Sequence, residues 1–174
     1  MQVSGVARSA RSDPSLGAVQ VHGIEALDEL LPTVDWLVIT CPLTSETRGL
    51  IGVRRLAMLR PTARIIVLSR GGIVEERALV AALNAGELRG AAFDSFLGQE
   101  IIDDYPDSEM LGEGGTCFPV DCPLWDHPGV IITPHTSGVS PQLNDRRTEI
   151  LRENLRRFLA GTDFIRVCDK AAGY

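Results

Sequence analysis

The chain has 174 residues, of which 44% are hydrophobic and 23% charged, and this length allows one sizeable core. The net charge of -6 and the 5% of aromatic residues disfavour a nucleic-acid-binding face. No apolar run reaches the roughly 20 residues of a membrane span, and residues 1–15 lack the apolar core of a signal peptide. The four cysteines are scattered without a CxxC pair or a metal-ligand spacing, which favours reduced thiols and a cytoplasmic protein.

Short apolar runs alternate with amphipathic segments along the chain. The predicted strands are residues 1–7, 36–40, 64–68, 90–96 and 130–133, and the predicted helices are residues 24–31, 44–59, 74–88 and 141–159. Gly86 suits the end of the third helix, and residues 98–122 form a long acidic loop with no periodicity. Strands alternating with helices predict an α/β fold with a parallel sheet and flanking helices.

Two side chains that follow predicted strands can act on an anionic substrate. Ligands of an open parallel sheet bind beyond the carboxyl ends of its strands. Arg70 follows residues 64–68 in the turn SRGG, where a guanidinium can hold a carboxylate in a bidentate fork. His135 follows the last strand in TPH, and histidine is suited to general acid catalysis near neutral pH. The alternatives are a surface arginine and a structural histidine.

Further polar residues follow two other strands. Asp94 ends the run GAAFD in the strand predicted at 90–96, and its carboxylate can bond a ribose, a nicotinamide amide or a neighbouring turn. Glu100 follows it and can hydrogen-bond His135 and orient the imidazole. Arg8 and Ser9 follow the first strand, where a dinucleotide fold meets the adenosine ribose. An arginine at that place accommodates the 2'-phosphate of NADP, whereas an acidic residue would bond the 2'-hydroxyl of NAD. The alternative for Arg8 is a solvated basic turn.

Three long motifs occur in the chain in a characteristic order: PLTSETRGLIG, LSRGGIVEERALVAALNAGELRGAAFD and PLWDHPGVIITPH. Together they resemble the D-isomer-specific 2-hydroxyacid dehydrogenases, especially the glyoxylate and hydroxypyruvate reductase branch. The resemblance implies a Rossmann-like dinucleotide-binding domain over residues 1–160, with an insertion at 98–122 and a tail at 161–174. It also implies hydride transfer between NAD(P)H and a small 2-oxo acid.

The resemblance assigns roles to particular residues. Arg70 corresponds to the arginine that binds the substrate carboxylate and carbonyl, and His135 to the proton donor. Counting places the glutamate that partners the histidine on Gln99, so we assign the adjacent Glu100, with Glu109 and Glu113 as alternatives. The residues implied to bind the cofactor are Arg8, Ser9, Pro42, Leu43, Ser69, Arg70, Asp94, His135 and Gly138. Arg8 favours NADP, with NAD as the alternative.

The chain departs from the family pattern at its beginning. The motif GxGxxG, with its strand and helix, does not precede residues 1–7, so we expect the sheet to lack its first strand. We place the resulting gap between residues 1–7 and 64–68. A chain with this gap is expected to be inactive alone. The alternatives are a non-catalytic dinucleotide-sensing module, like the C-terminal-binding-protein corepressors, and a homodimer joined through the closing helix and tail.

Overall fold

The computed structural model describes residues 1–12, 19–95, 123–138 and 140–168. The chain divides into two compact units, Met1–Thr133 and Pro134–Tyr174. Among the described residues, the first unit holds two parallel sheets, and the second holds one long helix with the segment that follows it. The parallel α/β architecture predicted from the sequence is confirmed.

The smaller sheet pairs β1 (Ser4–Val6) with β2 (Gln20–His22) in parallel, with Gly5 opposite Val21. The sequence analysis missed β2 because three residues with a single apolar member carry no period-two signal. The chain then makes a short helical segment, as predicted for residues 24–31. Its central α1 (Leu27–Leu30) lies between two single 3-10 turns.

The larger sheet has four parallel strands in the order β3-β4-β5-β6. These strands are β3 (Trp36–Ile39), β4 (Arg64–Val67), β5 (Gly90–Phe93) and β6 (Val130–Ile132). Each coincides with a predicted strand but ends earlier. Val67 lies opposite both Ile39 and Phe93, so the carboxyl ends of β3, β4 and β5 are level with one another.

The expected neighbours of the sheet gap were wrong. Residues 64–68 were expected to face the gap, but β4 is hydrogen-bonded to β3 on one side and to β5 on the other. Within the described ranges, the edge strands of the larger sheet are therefore β3 and β6. The error follows from the missed β2, which shifts the count of every later strand by one. Within the described ranges, no strand joins β1 to β3.

One face of the larger sheet packs against α2 (Val53–Leu56) and α3 (Glu76–Asn84). Ile65 and Leu79 are completely buried there, and each such side chain contributes about 1.5–3 kcal/mol by its burial. Trp36, Val38 and Ile131 lie exposed on the opposite face. The core therefore lies on one side of the sheet in the described part of the first unit.

The helix predicted for residues 44–59 is wrong over its first half. Thr44 and Thr47 bond each other's backbone and side chains, which competes with helix formation. Gly49 then takes a φ of 62°, and Ile51 pairs with Val74 as an isolated parallel bridge. The helix is therefore confined to α2, whereas the predicted helix at 74–88 is confirmed as α3, with Gly86 at φ 71° beyond its end.

The second unit contains α4 (Pro141–Ala160), which confirms the predicted closing helix. Its proline occupies the first turn, and Gly161 ends it in the left-handed conformation. The Asn154 side chain donates to Ile165 O and accepts from Ile165 N, so the following segment folds back on the helix. None of the helices in the described ranges combines the length and apolarity of a membrane span.

A substitution of Gly90, at the start of β5, tests how closely β5 packs against Gly129, the residue that directly precedes β6. A Cβ on Gly90 would lie 2.5 Å from Gly129 O, and Gly129 is held there by the bond from Ala91 N. We expect Gly90→Ala to lower the free energy of unfolding by about 1–3 kcal/mol in urea denaturation. Gly138→Ala is the matched control, because its Cβ would meet no atom within 4 Å. Equal stability of the two variants would contradict this packing.

Candidate functional site

The candidate site is built from the turns that leave the carboxyl ends of the strands. Two of them, after β3 and after β4, are fastened together by backbone hydrogen bonds. Gly49 N donates to Gly72 O at 2.8 Å, and Ile51 N donates to Ile73 O at 3.0 Å. Glu75 N returns a bond to Ile51 O at 3.0 Å. Residues from both turns therefore share one rigid surface.

The turn after β3 carries the predicted residues Pro42 and Leu43. Thr47 Oγ1 donates to Pro42 O at 2.6 Å and accepts from Thr44 N at 2.8 Å, which closes the turn on itself. A Cβ on Gly72 would lie 3.8 Å from Leu43 Cδ1. The structure thus brings Leu43 against the SRGG turn. Burial raises the pKa of the neighbouring Cys41 thiol.

The turn after β4 places Arg70 on the surface and Ser69 beneath it. Arg70 is exposed, and its Nη1 donates to Ser69 O at 2.7 Å. Gly72 is buried with a φ of 78°, a conformation that glycine adopts without strain. The main chain of SRGG is therefore held close to the sheet, while the Arg70 side chain reaches outward.

The ends of β5 and β6 are joined at Asp94. This carboxylate is only 3% exposed and accepts a short hydrogen bond from Thr133 Oγ1. Asp94 N donates to Val67 O at 3.0 Å, which extends the pairing with β4 past the last ladder residue. Asp94 is accordingly a fixed acceptor at the same edge of the sheet as Ser69.

Within the part of the chain that the structure describes, two buried hydroxyls at this edge lack hydrogen-bond partners. Ser69 Oγ and Ser95 Oγ are both buried and unbonded, and Ser95 directly follows Asp94. Each unbonded buried hydroxyl costs about 1–3 kcal/mol of folding free energy. A hydrogen bond from a polar group of a ligand would offset this cost. The residues present therefore fit a ligand that carries amide and hydroxyl groups, such as a nicotinamide nucleotide.

Arg8 and Ser9 lie at the carboxyl end of β1 and are both exposed. The turn that contains them is fastened by Ala7 N to His22 O at 2.9 Å and by Arg11 N to Val21 O at 3.0 Å. The structure brings these two residues to the end of the strand where the sequence analysis predicted ribose binding. It does not place them within the turns of the larger sheet.

The remaining predicted residues lie elsewhere. His135 and Gly138 belong to the second unit, where both are exposed and His135 has a φ of 55°. Gln99, Glu100, Glu109 and Glu113 lie outside the described residues. The sequence analysis missed Arg48 and Ser95, which the structure adds to the edge around Asp94 and the SRGG turn. The sequence pattern gives no sign that either residue belongs to a site, because Arg48 lies within a predicted helix and Ser95 within a predicted strand.

The family model of the D-isomer specific 2-hydroxyacid dehydrogenase, NAD binding domain, matches residues 1–137. The chain belongs to this family. The glyoxylate/hydroxypyruvate reductase B of Pectobacterium carotovorum is 36% identical over 135 residues, which is 78% of the chain and 37% of that protein. This dehydrogenase domain therefore spans little more than a third of a curated relative.

Solved structures agree with the assignment. A D-isomer specific 2-hydroxyacid dehydrogenase from Xanthobacter autotrophicus, in complex with NADPH and MES, superimposes with a TM-score of 0.79 at 34% identity. It is matched over 99% of the present chain and 63% of its own. An NADPH-dependent glyoxylate/hydroxypyruvate reductase from Sinorhizobium meliloti, in complex with NADP and sulfate, gives 0.77 at 29% identity, over 99% of the chain and 49% of its own.

Proposed function

We propose that this dehydrogenase domain supplies the cofactor-binding half of an NADP-dependent reductase of small 2-oxo acids, and that it is inactive alone. The observation that carries the proposal is the set of polar groups at the carboxyl edge of the larger sheet. Arg70 is exposed in the turn that follows β4. The buried Asp94 carboxylate and the Ser69 hydroxyl belong to the same edge, and that hydroxyl has no hydrogen-bond partner among the described residues. Relatives of the same family bind NADPH or NADP in their solved structures.

The cofactor is proposed to lie across the strand ends. Arg8 and Ser9 would hold the 2'-phosphate of the adenosine ribose, since a guanidinium fork matches phosphate geometry. Pro42 and Leu43 would pack against the dinucleotide. The Ser69 hydroxyl would donate to or accept from its polar groups, and the Asp94 carboxylate would accept from its amide or hydroxyl groups. Gly138 and His135 are proposed to complete the contacts. When bound, the reduced nicotinamide supplies a hydride to the carbonyl carbon of the substrate.

The substrate is proposed to be held by Arg70 and protonated by His135. The Arg70 guanidinium would bind the carboxylate and draw electron density from the adjacent carbonyl oxygen as negative charge develops on it. His135 Nε2 or Nδ1 would then give a proton to that oxygen. Glu100 is proposed to orient the imidazole and to favour its protonated form.

The second candidate is a dinucleotide-sensing module without catalysis. The observation that favours it is Gln99, which stands where counting from the motif expects the glutamate. A glutamine carries no charge to favour a protonated His135. Turnover in a protein that contains both halves would exclude this candidate.

The organisation of the chain is proposed in coarse terms. Residues 1–160 would form the partial dinucleotide-binding domain with its insertion at 98–122, and residues 161–174 the tail. Leu151, Leu155 and Phe158 lie exposed on α4 at helical spacing, which supports a homodimer formed through this helix. Light scattering at high concentration tests this, because a strict monomer would exclude it. A cytoplasmic location remains part of the proposal.

A substitution of Arg8 tests the predicted preference for NADPH over NADH. We expect calorimetric titration of the chain to show NADPH binding at least about tenfold more tightly than NADH, a difference of about 1.4 kcal/mol. Arg8→Gln should remove this preference and leave NADH binding unchanged, because NADH lacks the 2'-phosphate. Arg77→Gln, at an exposed position on α3, serves as the matched charge control. A preference that survives Arg8→Gln would refute the role of Arg8.

Arg70 and His135 test the reaction. We expect each of Arg70→Gln and His135→Gln to lower kcat/KM for glyoxylate at least about 100-fold in a protein completed with the remaining domain of a reductase relative. That loss corresponds to about 2.7 kcal/mol of transition-state stabilisation. Arg77→Gln should retain the activity of the parent. Activity that persists in both variants would refute the proposed roles of Arg70 in substrate binding and of His135 in proton donation.

A further inference from the structure

We propose that Arg48 is a second anion-binding residue of the same site, and that the substrate is a 2-oxo acid with a second anionic group. The inference rests on the proposed function and adds to it the class of substrate. Arg70 would hold the carboxylate beside the reacting carbonyl, and Arg48 would hold a carboxylate or phosphate at the far end of the molecule.

The position of Arg48 is set by the fastened turns. Arg48 N donates to Thr44 O at 3.0 Å, and the next residue, Gly49, donates to Gly72 O. The side chain then crosses to the turn after β4, where Arg48 Nη1 would lie 3.5 Å from a Cβ on Gly72. The Arg48 guanidinium therefore lies over the SRGG turn.

Arg48 lies over the same turn that carries Arg70. Gly72 is two residues beyond Arg70, and two residues span at most about 7 Å of chain. Both side chains are exposed, so each can move by a rotamer to meet a ligand. We propose that a five-carbon 2-oxo diacid, whose carboxylates are separated by a distance of this order, places one carboxylate on each guanidinium group.

Among the described residues, no acidic side chain pairs with Arg48. In the described part of the chain its guanidinium has no hydrogen bond or ion pair, whereas Arg54 and Arg55 share the Asp28 carboxylate. Glu75, the acid in the fastened segment, directs its Oε2 to Val53 N at 3.4 Å. A guanidinium with unused donors, over a turn that carries a second arginine, favours anions that accept in bidentate geometry.

The test compares five-carbon 2-oxo acids of different charge. The chain is saturated with NADPH and titrated with 2-oxoglutarate or 2-oxopentanoate, while calorimetry gives the affinity and side-chain ¹⁵N NMR follows the arginine Nε signals. We expect 2-oxoglutarate to bind at least about tenfold more tightly, or about 1.4 kcal/mol. Both acids should shift the Arg70 signal, and 2-oxoglutarate alone should shift that of Arg48. A parallel titration with phosphonopyruvate determines whether a phosphoryl group serves better than the distal carboxylate.

Three variants separate a specific contact from general charge or misfolding. Arg48→Gln should bring the two affinities within about twofold without weakening 2-oxopentanoate, Arg48→Lys should retain part of the preference, and Arg77→Gln should retain all of it. Equal affinities in the parent chain, or a preference that survives Arg48→Gln, would overturn this inference alone. Failure of both acids to bind while NADPH is bound would overturn it together with the proposed role of Arg70.

Discussion

The parallel pairing of β4 with both of its neighbours is the constraint on which the rest of the site depends. Because Val67 lies level with Ile39 and Phe93, the next residues of three strands emerge at one edge of the sheet. Burial of Ile65 and Val67 against the helices fixes this register, since a slip by one residue would turn them to the opposite face. Arg70 and Asp94 both follow strands that end at this edge for the same reason.

A second constraint is the backbone bonding between the turns after β3 and β4. A continuous helix over residues 44–59 would have left Gly49 N and Ile51 N bonded within that helix. Instead, both donate to the chain that follows Arg70, and Gly72 adopts a left-handed conformation that keeps its carbonyl available. The helix is therefore limited to α2. Because the two turns are hydrogen-bonded to each other, Leu43 and Arg48 lie at the turn that carries Arg70.

The sequence predicted the parts of this arrangement that carry strong local signals. Apolar runs identified β3 to β6, and the spacing in α3 and α4 identified two helices, because each helix carries a regular apolar stripe. This stripe is buried in α3 and exposed in α4. It did not reveal β2, whose three residues owe their conformation to pairing with β1, and it misjudged the threonine-closed turn. The sequence identified Arg70 as a candidate because it lies in a glycine-containing turn after a strand. Arg48 could not be identified in this way, because only the fold places its side chain near Gly72.

The most direct test of the account is to map NADPH on the chain by amide chemical-shift perturbation. The account predicts that the largest shifts occur at the carboxyl edge, at Gly71, Gly72 and Ser95, with smaller changes at Arg8 and Ser9. Gly90 and Gly129, at the amino edge near the exposed Trp36, should remain unshifted. Shifts concentrated at that amino edge would contradict the central claim that the strand ends after β4 and β5 form the cofactor site.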